Sequence, residues 1–287
     1  MSDSLTAEPE LTDLHHLGRP HVIGVWRIGE VVVDPGPASC LEILLPLLEG
    51  RPPRVLALTH IHLDHAGATG SLLQRFPDAE VWVHERGARH LIDPTRLLES
   101  ATRLYGDDMQ RLWGEVLPVP AERITVLGGG ESLGAFRVAY TPGHASHHVS
   151  YLHEPTGTAF TGDATGVRIG ESAVLAPTPP PDVDLGAWRS SLASIEAWRP
   201  SRIALTHFGA FDRTGEHLAA LREQLTRSAE MAGELDEAGF ASAVRARVAA
   251  SAGAQTAAAY EQAMPPEQSY HGLRRYLSSR EPARPSA

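Results

Sequence analysis

Short apolar runs alternate with polar, Gly- and Pro-containing breaks along most of the chain, and the run lengths separate strands from helices. Val22-Ile23-Gly24-Val25-Trp26 and Val31-Val32-Val33 lie either side of Ile28-Gly29-Glu30, which predicts a β-hairpin over residues 21–34. Asp34-Pro35-Gly36-Pro37 stops the second strand, Ser39 is placed to cap a helix running to about Glu49, and Pro52-Pro53 breaks that helix. Residues 54–59, Arg-Val-Leu-Ala-Leu-Thr, have the continuous apolar character of a buried strand. A loop and a helix to about Phe76 follow, then a strand over 79–84. Strand and helix in alternation predict an α/β fold whose sheets are covered by helices.

Between residues 93 and 113 the spacing changes. Leu97, Leu98, Ala101, Leu104, Tyr105, Met109 and Leu112 recur at helical intervals. Such a stripe reads either as a face packed on the core or as a lid whose Tyr105, Met109 and Trp113 line a substrate pocket. Short strands are expected next, over 124–127, 132–133, 136–141, 148–153 and 158–161; Gly128-Gly129-Gly130 is a turn without the spacing of a phosphate-binding loop. A stiff Pro-rich connection at 177–181 leads into a helix near 185–198. Residues 202–206 repeat the strand logic of 54–59, and both runs lead into a Thr-His pair. From Asp212 the pattern is helical, with breaks at Gly239, Gly253 and Pro265-Pro266 and a last helix over 268–279. The expected organisation is an N-terminal segment (1–20), a main domain (21–211) carrying a helical insertion (93–118), a helical segment packed on it (212–280) and a frayed tail (281–287).

Composition narrows the class. Of 287 residues, 42% are hydrophobic and 21% charged, as in a globular chain long enough to bury its own core. Arg supplies all 25 basic residues against 35 acidic ones, and the formal charge of −10 disfavours a nucleic-acid partner. One cysteine, Cys40, excludes an intrachain disulfide and a thiolate-rich zinc site. Residues 1–16 lack the basic start and apolar run of a secretory signal, and no stretch approaches the ~20 apolar residues of a membrane span. A cytoplasmic protein acting on a small molecule, with no membrane partner, is expected. The unusual figure is 15 histidines.

His60-Ile61-His62-Leu63-Asp64-His65 follows directly on the strand expected at 54–59. Alternate residues of an extended chain point the same way, so His60 and His62 aim at one point while Asp64 and His65 reach a second nearby. Imidazole with carboxylate suits zinc, iron or manganese. Buried imidazoles without partners would carry a desolvation cost. Three further segments end expected strands with donors: Thr141-Pro142-Gly143-His144, Thr161-Gly162-Asp163 and Thr206-His207. Two cations ~3.5–4 Å apart sharing a hydroxide would hydrolyse a carbonyl or phosphorus centre without a Ser or Cys nucleophile. Asp64 could then pass a proton to the leaving group through a free oxygen.

In order and spacing, Asp34-Pro35-Gly36, His60-x-His62-x-Asp64-His65, Thr141-Pro142-Gly143-His144, Thr161-Gly162-Asp163 and Thr206-His207 resemble the metallo-β-lactamase-fold superfamily, specifically its glyoxalase-II-like hydrolase branch, over residues 21–210. The resemblance implies an αββα sandwich with the metals at one edge and a C-terminal helical extension. It implies two divalent cations, zinc foremost, with iron or manganese as alternatives. His60, His62 and His144 would hold the first, Asp64, His65 and His207 the second, with Asp163 bridging and Asp34 orienting the metal loop. Asp163 departs from the Cys of class B1 antibiotic-hydrolysing lactamases, and His62 from the Glu of oxygen-reducing diiron relatives. His147 stands where glyoxalase II has a small residue; it and His148 would face substrate or support the ligands. The implied activity is hydrolysis of a small ester, lactone or thioester. The alternatives are small phosphodiester or phosphotriester hydrolysis and persulfide oxidation at a single iron. The C-terminal helices show no glutathione-binding pattern. Their Tyr270, Arg274 and Tyr276 could reach the pocket mouth or a second subunit, and exposed helices are compatible with a homodimer. His15, His16 and His21 are expected at surface or interface positions rather than as ligands.

Overall fold

The computed structural model describes residues 7–280, so the tail expected to fray at 281–287 lies outside the described residues. The first half of the chain contributes β1 (Glu10–Asp13), β2 (Gly24–Ile28), β3 (Val31–Val33), α1 (Leu41–Glu49), β4 (Val55–Ala57), α2 (Leu63–Ala66), α3 (Thr69–Arg75), β5 (Glu80–His84), α4 (Glu85–Ile92), α5 (Thr95–Tyr105), α6 (Met109–Trp113) and β6 (Ile124–Leu127). Its six strands form one sheet in sequence order, antiparallel from β1 to β3 and parallel from β3 to β6. The second half contributes β7 (Ser132–Leu133), β8 (Phe136–Tyr140), β9 (Val149–His153), β10 (Thr158–Phe160), α7 (Leu185–Ala197), β11 (Arg202–Leu205) and β12 (Gly209–Phe211). These strands form a second sheet, ordered β12-β11-β10-β9-β8-β7, in which only β10 and β11 run parallel. Then come α8 (Thr214–Glu234), α9 (Glu237–Ala249), α10 (Ala254–Ala263) and α11 (Pro266–Ser278).

Period-two alternation divides each strand between two cores. Trp26, Ile28, Val31, Val33, Ala57 and Trp82 of the first sheet meet Phe136, Val138, Val149, Tyr151, Phe160 and Ala204 of the second. Val25, Val32, Leu56, Val81, Val83, Ile203 and Leu205 belong instead to the cluster that includes the helices' apolar faces, among them Leu44, Leu72, Trp188 and Leu221. The architecture is an αββα sandwich with a C-terminal helical region.

Two features of this sandwich set the position of the chemistry. β3, β4, β10 and β11 run in register (Val33 opposite Ala57, Phe160 opposite Ala204), so the segments that follow them emerge at one edge. The sheets are also tied together at that edge. Gly24 N donates to Thr206 O (2.9 Å), Val149 N to Thr59 O (2.8 Å) and the Tyr151 hydroxyl to Leu58 O (2.8 Å).

Several elements differ from the sequence reading. The N-terminal segment contains β1, whose four residues Glu-Leu-Thr-Asp lack a β-branched run but pair with β2. α4 and β12 were also not anticipated; both are short and follow directly on stronger signals. The helical stretch at 93–113 breaks at Gly106 (φ 54), and the stripe is half-buried rather than fully core: α5 has no fully buried residue, although Leu97 packs against the outer apolar cluster. Ser39 does not cap α1; its hydroxyl donates to Leu112 O (2.7 Å). The break expected at Gly239 falls at Asp236, whose carboxylate caps α9 by accepting from Gly239 N. His16 is buried rather than at the surface. Tyr270 and Arg274 point back to α8 and its C-terminal end, bonding Leu235 O and Ala232 O. No helix among the described residues is long and apolar enough to cross a membrane.

Burial pushes the His217 imidazole, on α8, from 6.5 down to about 4, although its Nε2 bonds Thr165 O at 2.8 Å. The unfolded chain takes up this proton near 6.5 and the folded chain only near 4, so stability is full above 6.5 and drains away as pH falls through that window. Urea unfolding at pH 7 and pH 4.5 is expected to show that His217→Leu narrows the stability gap between the two conditions by about 2 kcal/mol. An unchanged gap would contradict this assignment.

Candidate metal centre

His60 and His62 leave the end of β4 in extended chain, and α2 then turns Asp64 and His65 back toward them. His144 arrives from the turn after β8, Asp163 from a 3-10 turn after β10, and His207 from the end of β11. Among the described residues, three sets of donor atoms lie within 4.8 Å of one another: His60/His62/His144, His60/His65/Asp163 and Asp64/His65/His207. His62 Nδ1 is 3.0 Å from His60 Nε2 and 2.9 Å from His144 Nε2. Asp64 Oδ2 lies 3.3 Å from His207 Nε2 and 3.7 Å from His65 Nε2. Asp163 spans the two groups. Its Oδ2 is 3.3 Å from His144 Nε2, while its Oδ1 is 3.5 Å from His65 Nε2 and 3.6 Å from His207 Nε2.

The far nitrogen of each ring sets its tautomer. His144 Nδ1 donates to Pro177 O (2.8 Å), His207 Nδ1 to Val22 O (2.6 Å) and His65 Nδ1 to Asp34 Oδ2 (2.9 Å). His60 Nδ1 faces Thr59 Oγ1 (3.1 Å), whose own proton goes to Asp34 Oδ2, so this oxygen accepts from His60. All four rings therefore turn an Nε2 lone pair inward. His65 Nε2, His207 Nε2 and Asp163 Oδ1 are buried without a hydrogen-bond partner. Acceptors converging on one another without a donor fit a cation, so the His/Asp clusters suit a dinuclear metal site.

Electrostatics gives the same picture. Burial alone raises the Asp163 carboxyl, but the charges of His144, His65 and His207 hold it well below the usual carboxylate range. Asp64 is likewise raised by burial and held down by His65 and His207. Burial lowers His65 and His207, yet the facing carboxylates lift both above their ordinary value. Burial and neighbouring imidazoles push His60 and His62 down; burial does the same to His144, against Asp163.

Asp34, fully buried at the end of β3 in left-handed backbone (φ 49), organises the set. Its Oδ1 accepts from Thr59 N (2.7 Å); its Oδ2 accepts from Thr59 Oγ1 (2.7 Å), Thr206 Oγ1 (2.9 Å) and His65 Nδ1 (2.9 Å). The repeated Thr-His pair is thereby explained: each threonine anchors on Asp34, and each following histidine enters the cluster. The motif glycines have steric reasons. A Cβ on Gly162 (φ +45) would lie 2.3 Å from Thr59 Oγ1, and one on Gly143 (φ +138) would lie 2.3–2.6 Å from Trp188 Cβ, Cα and N.

The family profile described as the metallo-beta-lactamase superfamily matches residues 29–208. The chain belongs to this superfamily. A metallo-beta-lactamase fold-containing protein of Sulfurisphaera tokodaii is 32% identical over 161 residues, 54% of this chain and 60% of that protein. A hydroxyacylglutathione hydrolase of Erwinia tasmaniensis is 28% identical over 166 residues, 56% of this chain and 50% of that protein. The matched region thus spans about half to three fifths of these curated relatives. In structure, an archaeal superfamily protein from Sulfolobus tokodaii superposes with TM-score 0.69 at 23% identity, covering 93% of this chain and 98% of its own. The di-iron-bound form of TTHA1623 gives 0.54 at 24% identity, covering 76% and 94%. Both likenesses show the metallo-beta-lactamase fold.

The remaining candidates sit around the superfamily centre. His148 is fully buried; its Nδ1 pairs with Thr141 Oγ1 (2.9 Å) and its Nε2 has no partner. His147 lies beside His60 and His62 and accepts from Ile61 N at 3.4 Å. Burial pushes its imidazole down to about 3. Trp113 is buried, Tyr105 and Met109 half-buried. His16, not anticipated, stacks on Trp113, which in turn meets Tyr105 edge-on. Only its tertiary neighbours reveal this, since no motif surrounds it.

Asp34→Asn replaces an oxygen facing three donors, or the one facing Thr59 N, with an NH2 group. A folded protein with metal affinity lowered about 10–100-fold is expected, measured by competition with a chromophoric chelator. Wild-type affinity would rule out the orienting role.

Proposed function

We propose that this chain is a dinuclear metal-dependent hydrolase of a small ester, lactone or thioester, with zinc as the metal. The observation that carries the reading is the Asp163 carboxylate, whose two oxygens face different histidine groups and so suit a bridging ligand. His60, His62 and His144 would hold one cation and Asp64, His65 and His207 the other. Two cations so held supply acidified water and polarisation of the scissile carbonyl. A pair of clusters sharing one carboxylate favours this over a single-iron oxidation site. The hydroxyacylglutathione hydrolases among the relatives favour an acyl substrate.

The chain's own residues do the rest. Asp64 is the carboxylate of the centre with solvent access, its side chain 22% exposed, with Oδ2 turned toward His65 and His207. It is placed to hold a proton for the leaving group while the buried Asp163 keeps its charge. The Nδ1 bonds to Asp34, Pro177 and Val22 fix the rings, so no reorganisation is needed as charge develops.

His62→Ala and Asp163→Ala are each expected to abolish hydrolysis, a loss of at least ~1000-fold, and to lower bound metal. Elemental analysis with a panel of thioesters, lactones, esters and phosphodiesters tests this. Full activity in either variant, or turnover confined to phosphodiesters, would overturn the reading.

A further inference from the structure

The centre reaches solvent through two of its members. His60, His65, His144, His207 and Asp163 are each no more than 4% exposed, whereas His62 and Asp64 are half-buried. Beside His62 stands an imidazole that the ligand set does not use. The His147 ring lies 5.6 Å from that of His62 at 89° and 6.1 Å from that of His60 at 13°, centroid to centroid. It is itself half-buried. Its Nδ1 faces Ile61 N at 3.4 Å, the backbone donor between the two ligands. With Nδ1 accepting, the ring proton falls on Nε2. That nitrogen bonds no described residue and, unlike the unpaired Nε2 of His148, is not shut away from solvent.

The chain around His147 is fixed on both sides. Just before it, the Tyr140 hydroxyl donates to Ser146 O (2.9 Å) and Ser146 Oγ to Asp182 Oδ2. Just after it, Thr141 N donates to His148 O (3.0 Å) and Val149 N to Thr59 O (2.8 Å). The first turn of α4 closes in as well. A Cβ on Gly87 would stand 2.9 Å from Ile61 Cγ2 and 3.6 Å from His147 Cβ, so glycine lets the helix pack against the metal loop and this histidine together. A donor held rigidly beside a buried centre needs no reorganisation when charge develops next to it.

We propose that His147 is a catalytic residue whose Nε2–H donates to the acyl oxygen of the substrate as negative charge builds there. Position assigns the atom. His147 stands against the His60–His62 side of the centre, while Asp64, the carboxylate placed to hold the leaving-group proton, faces His65 and His207 on the other. A substrate spanning the two accessible sides turns its carbonyl oxygen to His147 and its leaving atom to Asp64. The Nε2 proton is shared in this bond and not transferred, so the ring begins and ends the cycle in the same state. This rests on the hydrolase reading for the reaction; the bond from Nε2–H to a bound acyl oxygen does not require turnover.

The test separates the two ends of the ring in the zinc-loaded full chain. His147→Asn keeps an acceptor for Ile61 N–H where Nδ1 stood and has no group at Nε2; His147→Gln puts an N–H near the Nε2 position. H147N is expected to hold as much zinc as the wild type and to lose about 100-fold in kcat on acetyl esters and thioesters, as for removal of one oxyanion donor. H147Q is expected to recover at least ten-fold of that loss. Binding supplies a second readout, with acetate as the probe because its carboxylate oxygen stands in for the acyl oxygen. Acetate is expected to move the imidazole 15N resonance that both substitutions remove, and to bind H147N at least ten-fold more weakly than the wild type. Loss of zinc from H147N would make His147 a prop for the metal loop and overturn the proposal. So would wild-type kcat in H147N, no recovery in H147Q, or a resonance that acetate leaves unmoved. A wild type that cleaves no ester while acetate still moves this resonance and binds H147N more weakly defeats the hydrolase reading and leaves the donor in place.

Discussion

One buried carboxylate holds the arrangement together. Asp34 sits where β3 ends and collects donors from the segments after β4 and β11 and from α2. Because its oxygens are saturated by four donors, it serves as a fixed acceptor rather than a ligand. Its bonds to Thr59 and Thr206 set the two Thr-His pairs, and its bond to His65 sets that ring's tautomer. Pull this group out and three donors of the cluster lose their orientation at once.

The centre itself works against the fold. Five imidazoles and two carboxylates converge in a region almost closed to solvent, with three acceptor atoms left unpartnered. Burial disfavours every charge there, and only mutual pairing of His65 and His207 with Asp64 and Asp163 offsets it. The two-sheet sandwich tolerates this because its inner and outer apolar cores lie apart from the edge where the donors gather. Stability and chemistry occupy different regions of one molecule.

The surroundings follow another logic. The donors come from consecutive motifs, but the cluster around Trp113 draws His16 from the N-terminal part and Gln262 from the C-terminal helices. Membership of the superfamily by itself says little about substrate.

Much of this was legible in the residues themselves. The alternation of β-branched and polar positions marks most strands, since side-chain direction along extended chain is a local property. The donor motifs are equally local: glycines at 143 and 162 where no Cβ fits, threonines before His60 and His207, and short spacing in the His60–His65 run. By contrast, β1 exists only because β2 offers it an edge, and the stripe at 93–113 ends half-buried, with Leu97 against the outer core. His16 and Gln262, which bond each other, carry no sequence signature either. Which ring stacks on which, and which indole is left without an acceptor, depends on contacts between residues over a hundred positions apart in part, and these come into being only when the sheets close and the helices dock.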